Sequence, residues 1–124
     1  MPKPFVLVVE DNREMQALVI QILQLAGMDA RGVGRGDDAL TLMVREAPTL
    51  VLLDVDLPGL ISGLDVLGAI RSDKRLATTK VILLTAKHAA TRTPEAEAAD
   101  LVMLKPVDAE QLIVLAERLI GSVV

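Results

Sequence analysis

Cysteine, tryptophan and tyrosine are absent from the 124 residues, and the chain holds a single phenylalanine (Phe5) and a single histidine (His88). Without Cys there is no disulfide, no thiol nucleophile and no thiolate metal site. His88 has no second His, Cys or acid at ligand spacing, so it reads as a surface residue rather than a metal ligand. Aromatic platforms and Lys/Arg clusters are also lacking. With thirteen basic against seventeen acidic residues and a net charge of −4, direct nucleic-acid binding is not expected. Long apolar runs are missing too: the stretches present fall far short of a bilayer span of about 20 residues. Met1 to Phe5 runs straight into a strand-like stretch, with no charged region followed by a removable apolar segment. The expectation is a soluble cytoplasmic protein with no membrane association.

What the chain does have is 52% apolar and 24% charged residues, the balance of a globular protein, at a length that suits one domain spanning residues 1–124. There is no internal repeat, linker or low-complexity segment. The apolar runs are short, dense and unalternating: Val6–Val9, Leu50–Leu53, Val81–Leu84 and Leu101–Leu104. Runs of this kind suit strands buried on both faces. A weaker strand is expected near Asp29 to Val33.

Helical periods lie between them. Met15, Leu18, Val19, Ile22, Leu25 and Ala26 are read as one helix face, with Gly27 as the stop. Leu40, Met43 and Val44 mark a second helix opened by Asp37 and Asp38. Ser62 with Asp65 has capping-box spacing for a third, and Asp108 with Gln111 for the last. After Thr85 the rhythm falters: Thr93 as N-cap and Pro94 as first helical residue leave room only for a short fourth helix after a loop. The alternation predicts an α/β fold, a doubly wound five-stranded parallel sheet with helices on both faces and a short or irregular fourth helix.

The polar residues that matter stand where the apolar runs stop: Glu10-Asp11, Asp54, Thr85 and Lys105-Pro106. In a parallel sheet these carboxyl ends converge on one edge, where ligands bind at the switch point. Hard oxygen donors without His or Cys select Mg²⁺. Crowded carboxylates repel one another, and a divalent cation relieves that repulsion while leaving an Asp ionised as a nucleophile. An ammonium and a hydroxyl can bind the remaining oxygens of a phosphoryl group, whose transfer depends mostly on positioning and charge neutralisation.

With Val8-Val9-Glu10-Asp11-Asn12, Leu52-Leu53-Asp54 followed by Leu57-Pro58-Gly59, Leu83-Leu84-Thr85-Ala86, and Lys105-Pro106 in this order, the chain resembles a response-regulator receiver domain over nearly its whole length. The resemblance implies strand order 2-1-3-4-5 and a two-component signalling role. Asp54 would take a phosphoryl group from the phosphohistidine of a histidine kinase or phosphotransfer protein. Asp11, Asp54 and the backbone carbonyl of Asp56 would bind Mg²⁺, with Glu10 acting largely through water. Thr85 and Lys105 would contact the phosphoryl group, and the Lys105-Pro106 bond would be cis. Independent enzymatic turnover is not implied, and neither the cognate kinase nor the downstream partner or output domain is legible.

Four positions depart from the family pattern. Val102 stands where a Tyr or Phe is usual three residues before the motif lysine. Leu60-Ile61 lengthens the loop between Pro58 and Gly63 by one residue, the Thr85 to Lys105 interval is about two residues short, and Ala98 replaces a usual Gly. The family's dimerisation face includes the shortened helix, so a homodimer is left open. Asp56 and Lys87 should flank the crevice mouth, with a salt bridge between them an option.

Other readings compete. Leu52 to Asp56 also resembles the aspartate-x-aspartate motif of haloacid-dehalogenase-type phosphatases, but that family carries it on the first strand and needs a further acidic pair late in the chain. A pseudo-receiver that binds without being phosphorylated is the second rival. Gly34 to Ala39 formally matches a dinucleotide fingerprint, yet Asp37 and Asp38 would face the pyrophosphate, so it is read as a turn and a cap.

Overall fold

The dense apolar runs become the middle of a sheet. In the computed structural model, which describes residues 2–86 and 94–121, the strands are β1 (Phe5–Val9), β2 (Asp29–Val33), β3 (Leu50–Asp54), β4 (Lys80–Thr85) and β5 (Leu101–Leu104). All pair in parallel, in the order β2-β1-β3-β4-β5. Side chains alternate between two cores. Leu7, Val9, Val51, Leu53, Val81 and Leu83 face one side, and Val6, Val8, Leu50, Leu52, Ile82 and Leu84 the other. A strand with helices on both faces has no polar side to show, which is why its sequence does not alternate.

Among the described residues four α-helices cover the sheet: α1 (Arg13–Leu25), α2 (Gly36–Arg45), α3 (Gly63–Ser72) and α4 (Ala109–Gly121). The first core packs under α2 and α3 through Ala39, Met43, Val66, Leu67 and Ile70. The second packs under α1 and α4 through Val19, Leu23, Leu112 and Ala116. Each fully buried Leu or Val stabilises by about 1.5–3 kcal/mol relative to exposure, so these two layers dominate the energetics.

Caps form at α3 and α4, whereas Asp37 and Asp38 lie in the first turn of α2, whose N-cap residue is Arg35. Ser62 and Asp65 make a reciprocal capping box at α3, and Asp108 Oδ1 accepts from Glu110 N at 3.0 Å ahead of α4. Gly27 ends α1 with φ +90°, a conformation that favours glycine. The helix faces need correction. Leu18, Leu25 and Val44 are 56%, 82% and 66% exposed, whereas Leu23, left off the predicted stripe, is buried. At about 100° per residue the stripe of α1 centres on Val19, which puts Leu25 roughly 120° away.

Between β4 and β5 the described residues hold no α-helix, only a 3-10 turn at Ala96–Ala98. Pro94 stands in a turn rather than at a helix start, and Thr93, Lys87 and His88 lie outside the described residues. This connection is tied down from α3. Arg71 donates to Ala98 O, Thr79 O and Asp100 Oδ2, each at 2.8 Å, and Asp100 Oδ2 also accepts from Val81 N at 2.7 Å.

Candidate functional site

Parallel pairing brings the polar strand ends together. Val9 pairs with Leu53 and Asp54 with Leu84, so Glu10, Asp54 and Thr85 follow one another across the carboxyl edge of β1, β3 and β4. Carboxylate oxygens of Glu10, Asp11 and Asp54 lie within 4.8 Å of one another. Glu10 and Asp54 are only 1% and 3% exposed, while Asp11 is open to solvent.

Two buried anions need a counter-charge. Lys105 supplies it from the far side of the sheet: Nζ donates to Glu10 Oε1 at 2.7 Å and to Asp54 Oδ2 at 3.0 Å. Burial pulls the Lys105 ammonium down, but the hydrogen bonds to Glu10 and then Asp54 outweigh it, and the net shift is upward from the ordinary lysine value. A lysine raised in this way stabilises the fold throughout the neutral range, and that contribution disappears only as pH rises through the raised value.

The other lone pairs are held by backbone. Asp54 Oδ1 accepts from Asp56 N at 2.9 Å and Glu10 Oε2 from Asn12 N at 3.2 Å, which fixes both carboxylates in rotation. Thr85 is 1% exposed, and its carbonyl accepts from Lys105 N at 2.8 Å, linking the ends of β4 and β5. The Lys105-Pro106 peptide is cis, as the motif implied. Neither Glu10 nor Asp11 caps α1; that role belongs to Asn12, whose side chain accepts from Met15 N at 3.0 Å.

Two supporting residues were not singled out from sequence. Gln16 Nε2 donates to Glu10 O at 2.8 Å and Val33 O at 3.0 Å, clamping the end of β1 to β2. Its side chain fills the space a Cβ on Gly32 would need. Gly63 packs its backbone onto the end of β3: a Cβ there would collide with Asp54 O and lie 2.7 Å from Val55 Cα. A glycine at a third-helix start and a lone glutamine on α1 carry no signal without coordinates.

The donor set is all oxygen and anionic, with one short-range cation. It fits a hard divalent cation of the Mg²⁺ type, held by carboxylates and water. Residues 6–117 match the family model of the response regulator receiver domain. The chain belongs to that family.

FleR, a response regulator protein of Pseudomonas aeruginosa, is 38% identical over 116 residues, covering 91% of this chain and 24% of FleR. MtrA, a DNA-binding response regulator of Mycobacterium tuberculosis, is 37% identical over 82 residues, which is 66% of this chain and 34% of MtrA. The chain therefore spans about a quarter to a third of the length of these curated relatives. Among solved structures, the response regulator TrrA of Thermotoga maritima, crystallised with Mg²⁺ and BeF, superposes with a TM-score of 0.86 at 32% identity, covering 94% of this chain and 98% of TrrA. NtrX of Brucella abortus superposes with a TM-score of 0.86 at 30% identity, covering 98% of this chain and 28% of NtrX.

This receiver domain of two-component signalling thus has an acidic pocket, Glu10, Asp11 and Asp54, that fits the Mg²⁺-binding phosphoacceptor site of its family. Leu52–Asp54 closes the third strand, with Val55 and Asp56 just beyond it, whereas a dehalogenase-type motif stands on the first. Val102 pairs with Leu83 in β5 and is half-buried against the α2 and α3 core, with no ring in the position that family members usually give to one. Among the described residues no helix is long and apolar enough to cross a membrane.

Proposed function

We propose that residues 1–124 form one receiver domain in which Asp54 accepts a phosphoryl group from the phosphohistidine of a histidine kinase or phosphotransfer protein. The observation that carries this reading is the Lys105 ammonium set between Glu10 and Asp54, inside a group of three converging carboxylates. Glu10, Asp11, Asp54 and the carbonyl of Asp56 would hold Mg²⁺, which when bound neutralises both the carboxylates and the incoming phosphoryl oxygens. TrrA, crystallised with Mg²⁺ and BeF, supports that assignment.

The carboxylate of Asp54 forms the new O–P bond as the donor's N–P bond breaks, and the electron pair of that bond returns to the imidazole nitrogen. The hydrogen bond from Asp56 N keeps the carboxylate oriented. Lys105 moves from neutralising carboxylates to binding a phosphoryl oxygen, and Thr85 lends its hydroxyl to another. The domain assists its own phosphorylation and dephosphorylation and turns over no separate substrate.

With Val102 in place of a ring, the response passes through backbone, the Lys105 N to Thr85 O bond coupling β4 to β5 beside the Lys105 ammonium's own bonds to Glu10 and Asp54. The protein works in the cytoplasm, signalling to an output partner or domain rather than contacting nucleic acid itself.

The test is incubation with Mg²⁺ and acetyl phosphate or phosphoramidate, read by intact mass. One phosphate should be gained by the parent and none by Asp54→Asn. No gain by the parent would leave a pseudo-receiver, and gain persisting in Asp54→Asn would place the acceptor elsewhere.

A further inference from the structure

The lengthened loop between β3 and α3 carries the Asp56 carbonyl, and two close contacts fasten it to the start of α2. Arg35 is the N-cap residue of α2 but makes no capping hydrogen bond to the helix backbone. Its guanidinium is used elsewhere. Nε donates to Asp37 Oδ1 at 3.1 Å, and the opposite side lies over Gly59, so that a Cβ built there would stand 2.6 Å from Nη2 and 3.1 Å from Cζ. Gly59 has φ +89°, the left-handed region that favours glycine. The second contact is Ile61 on Gly36: a Cβ on Gly36 would stand 2.7 Å from Ile61 Cγ2 and 2.9 Å from Ile61 O. Between these two anchors Leu60 is wholly exposed. The loop is thus a lip pinned on either side of its tip, and Gly63 clamps its far end onto Asp54 O.

We propose that Arg35 is a positioning residue for the metal ligands. Its planar guanidinium, fixed by Asp37, holds the lip over α2 and so limits the motion of the Asp56 carbonyl upstream of it. Outer residues of this kind govern metal affinity because they hold a ligand in one orientation. The inference rests on the reading of Asp56 as a ligand, and it opposes what charge alone would do. Arg35 brings a positive charge near an anionic site, so if it acted only through the field, removing it would tighten Mg²⁺ binding.

The experiment is calorimetric titration of Mg²⁺ into the parent chain, Arg35→Met, Arg35→Lys and Ile61→Ala, with unfolding by urea in EDTA as a control. Arg35→Met should weaken binding about tenfold, the lower end for a residue behind a ligand. Arg35→Lys should weaken it as well, because an ammonium cannot fill the space beside Gly59 that the planar guanidinium occupies. Ile61→Ala, which leaves every charge in place, should shift affinity in the same direction. Stability in EDTA should fall too little to account for these changes. Tighter binding by Arg35→Met, or parent-like binding by Arg35→Lys or Ile61→Ala, would overturn the positioning role. Failure of the parent to bind Mg²⁺ would instead sink the underlying site reading.

Discussion

Replacing Lys105 with Met keeps a side chain of similar length and removes only the ammonium. Its two partners, 2.7 and 3.0 Å away, belong to carboxylates that are almost wholly buried. Each such pair attracts by roughly 5–6 kcal/mol at an effective dielectric of about 20, most of which is consumed by desolvation. Removing one partner of a buried pair costs about 3–5 kcal/mol. The Lys105 side chain is 23% exposed, so water can enter the gap, and we expect a loss of roughly 2–3 kcal/mol. That corresponds to a fall in melting temperature of about 10 °C for a domain of this size.

The assay is urea unfolding at neutral pH followed by circular dichroism, since there is no tryptophan to report, with EDTA and then with saturating Mg²⁺. A cation at 100 times its Kd adds about 2.7 kcal/mol to the parent. It should add more to Lys105→Met, because there it replaces a missing charge rather than competing with one. The gap between the two proteins should therefore narrow with Mg²⁺. Equal stability in EDTA, within about 0.5 kcal/mol, or a gap that Mg²⁺ leaves unchanged, would refute the view that Lys105 neutralises the buried carboxylates.

Gly63→Ala should destabilise by about 1–3 kcal/mol, the usual cost of overpacking, and should lower the rate of phosphorylation by acetyl phosphate, because the added methyl displaces Asp54 O; intact mass over time checks the rate. Gln16→Leu removes two hydrogen bonds at the end of β1 and should cost roughly 1–3 kcal/mol in urea unfolding. Ser62→Ala should cost about 1 kcal/mol through the lost cap of α3. Asp65 is held below the usual carboxylate range by hydrogen bonds from the Ser62 backbone and then its side chain. A depressed carboxylate stabilises above its unfolded value and ceases to do so as pH falls through its folded value. The penalty of Asp65→Asn should accordingly be present at pH 7 and fade below about pH 4, which thermal melts across that range will reveal.

Which residues a sequence can announce depends on how far their reason lies along the chain. Val6–Val9 and Leu50–Leu53 declare themselves as strands because burial on both faces is written in every position. Glu10, Asp54, Thr85 and Lys105 declare themselves because each breaks such a run at its end, and parallel pairing then leaves one place for them to meet. Ser62 and Asp65 are legible for the opposite reason, since a capping box closes within four residues.

Gln16 is not legible, because its purpose is two carbonyls at the ends of different strands, one of them 17 residues away. Arg35 is similar: nothing before the fold is known tells that its guanidinium lies on Gly59. The misjudged faces of α1 and α2 have a simpler origin. Leu18, Leu25 and Val44 are apolar enough to seem internal, yet a helix on a sheet buries only a narrow stripe and leaves such side chains on its flanks.

The bond from Lys105 to Glu10 spans 95 positions of sequence. Loops that long close late and slowly, and this one joins the first strand to the last. On the proposed reading, competence at Asp54 therefore requires the whole sheet, from β1 to β5, to be assembled. Until β5 docks, the buried Glu10 and Asp54 carboxylates lack the Lys105 ammonium. Susceptibility to phosphorylation would then be a folding probe in its own right, reporting that the first and fifth strands have joined one sheet.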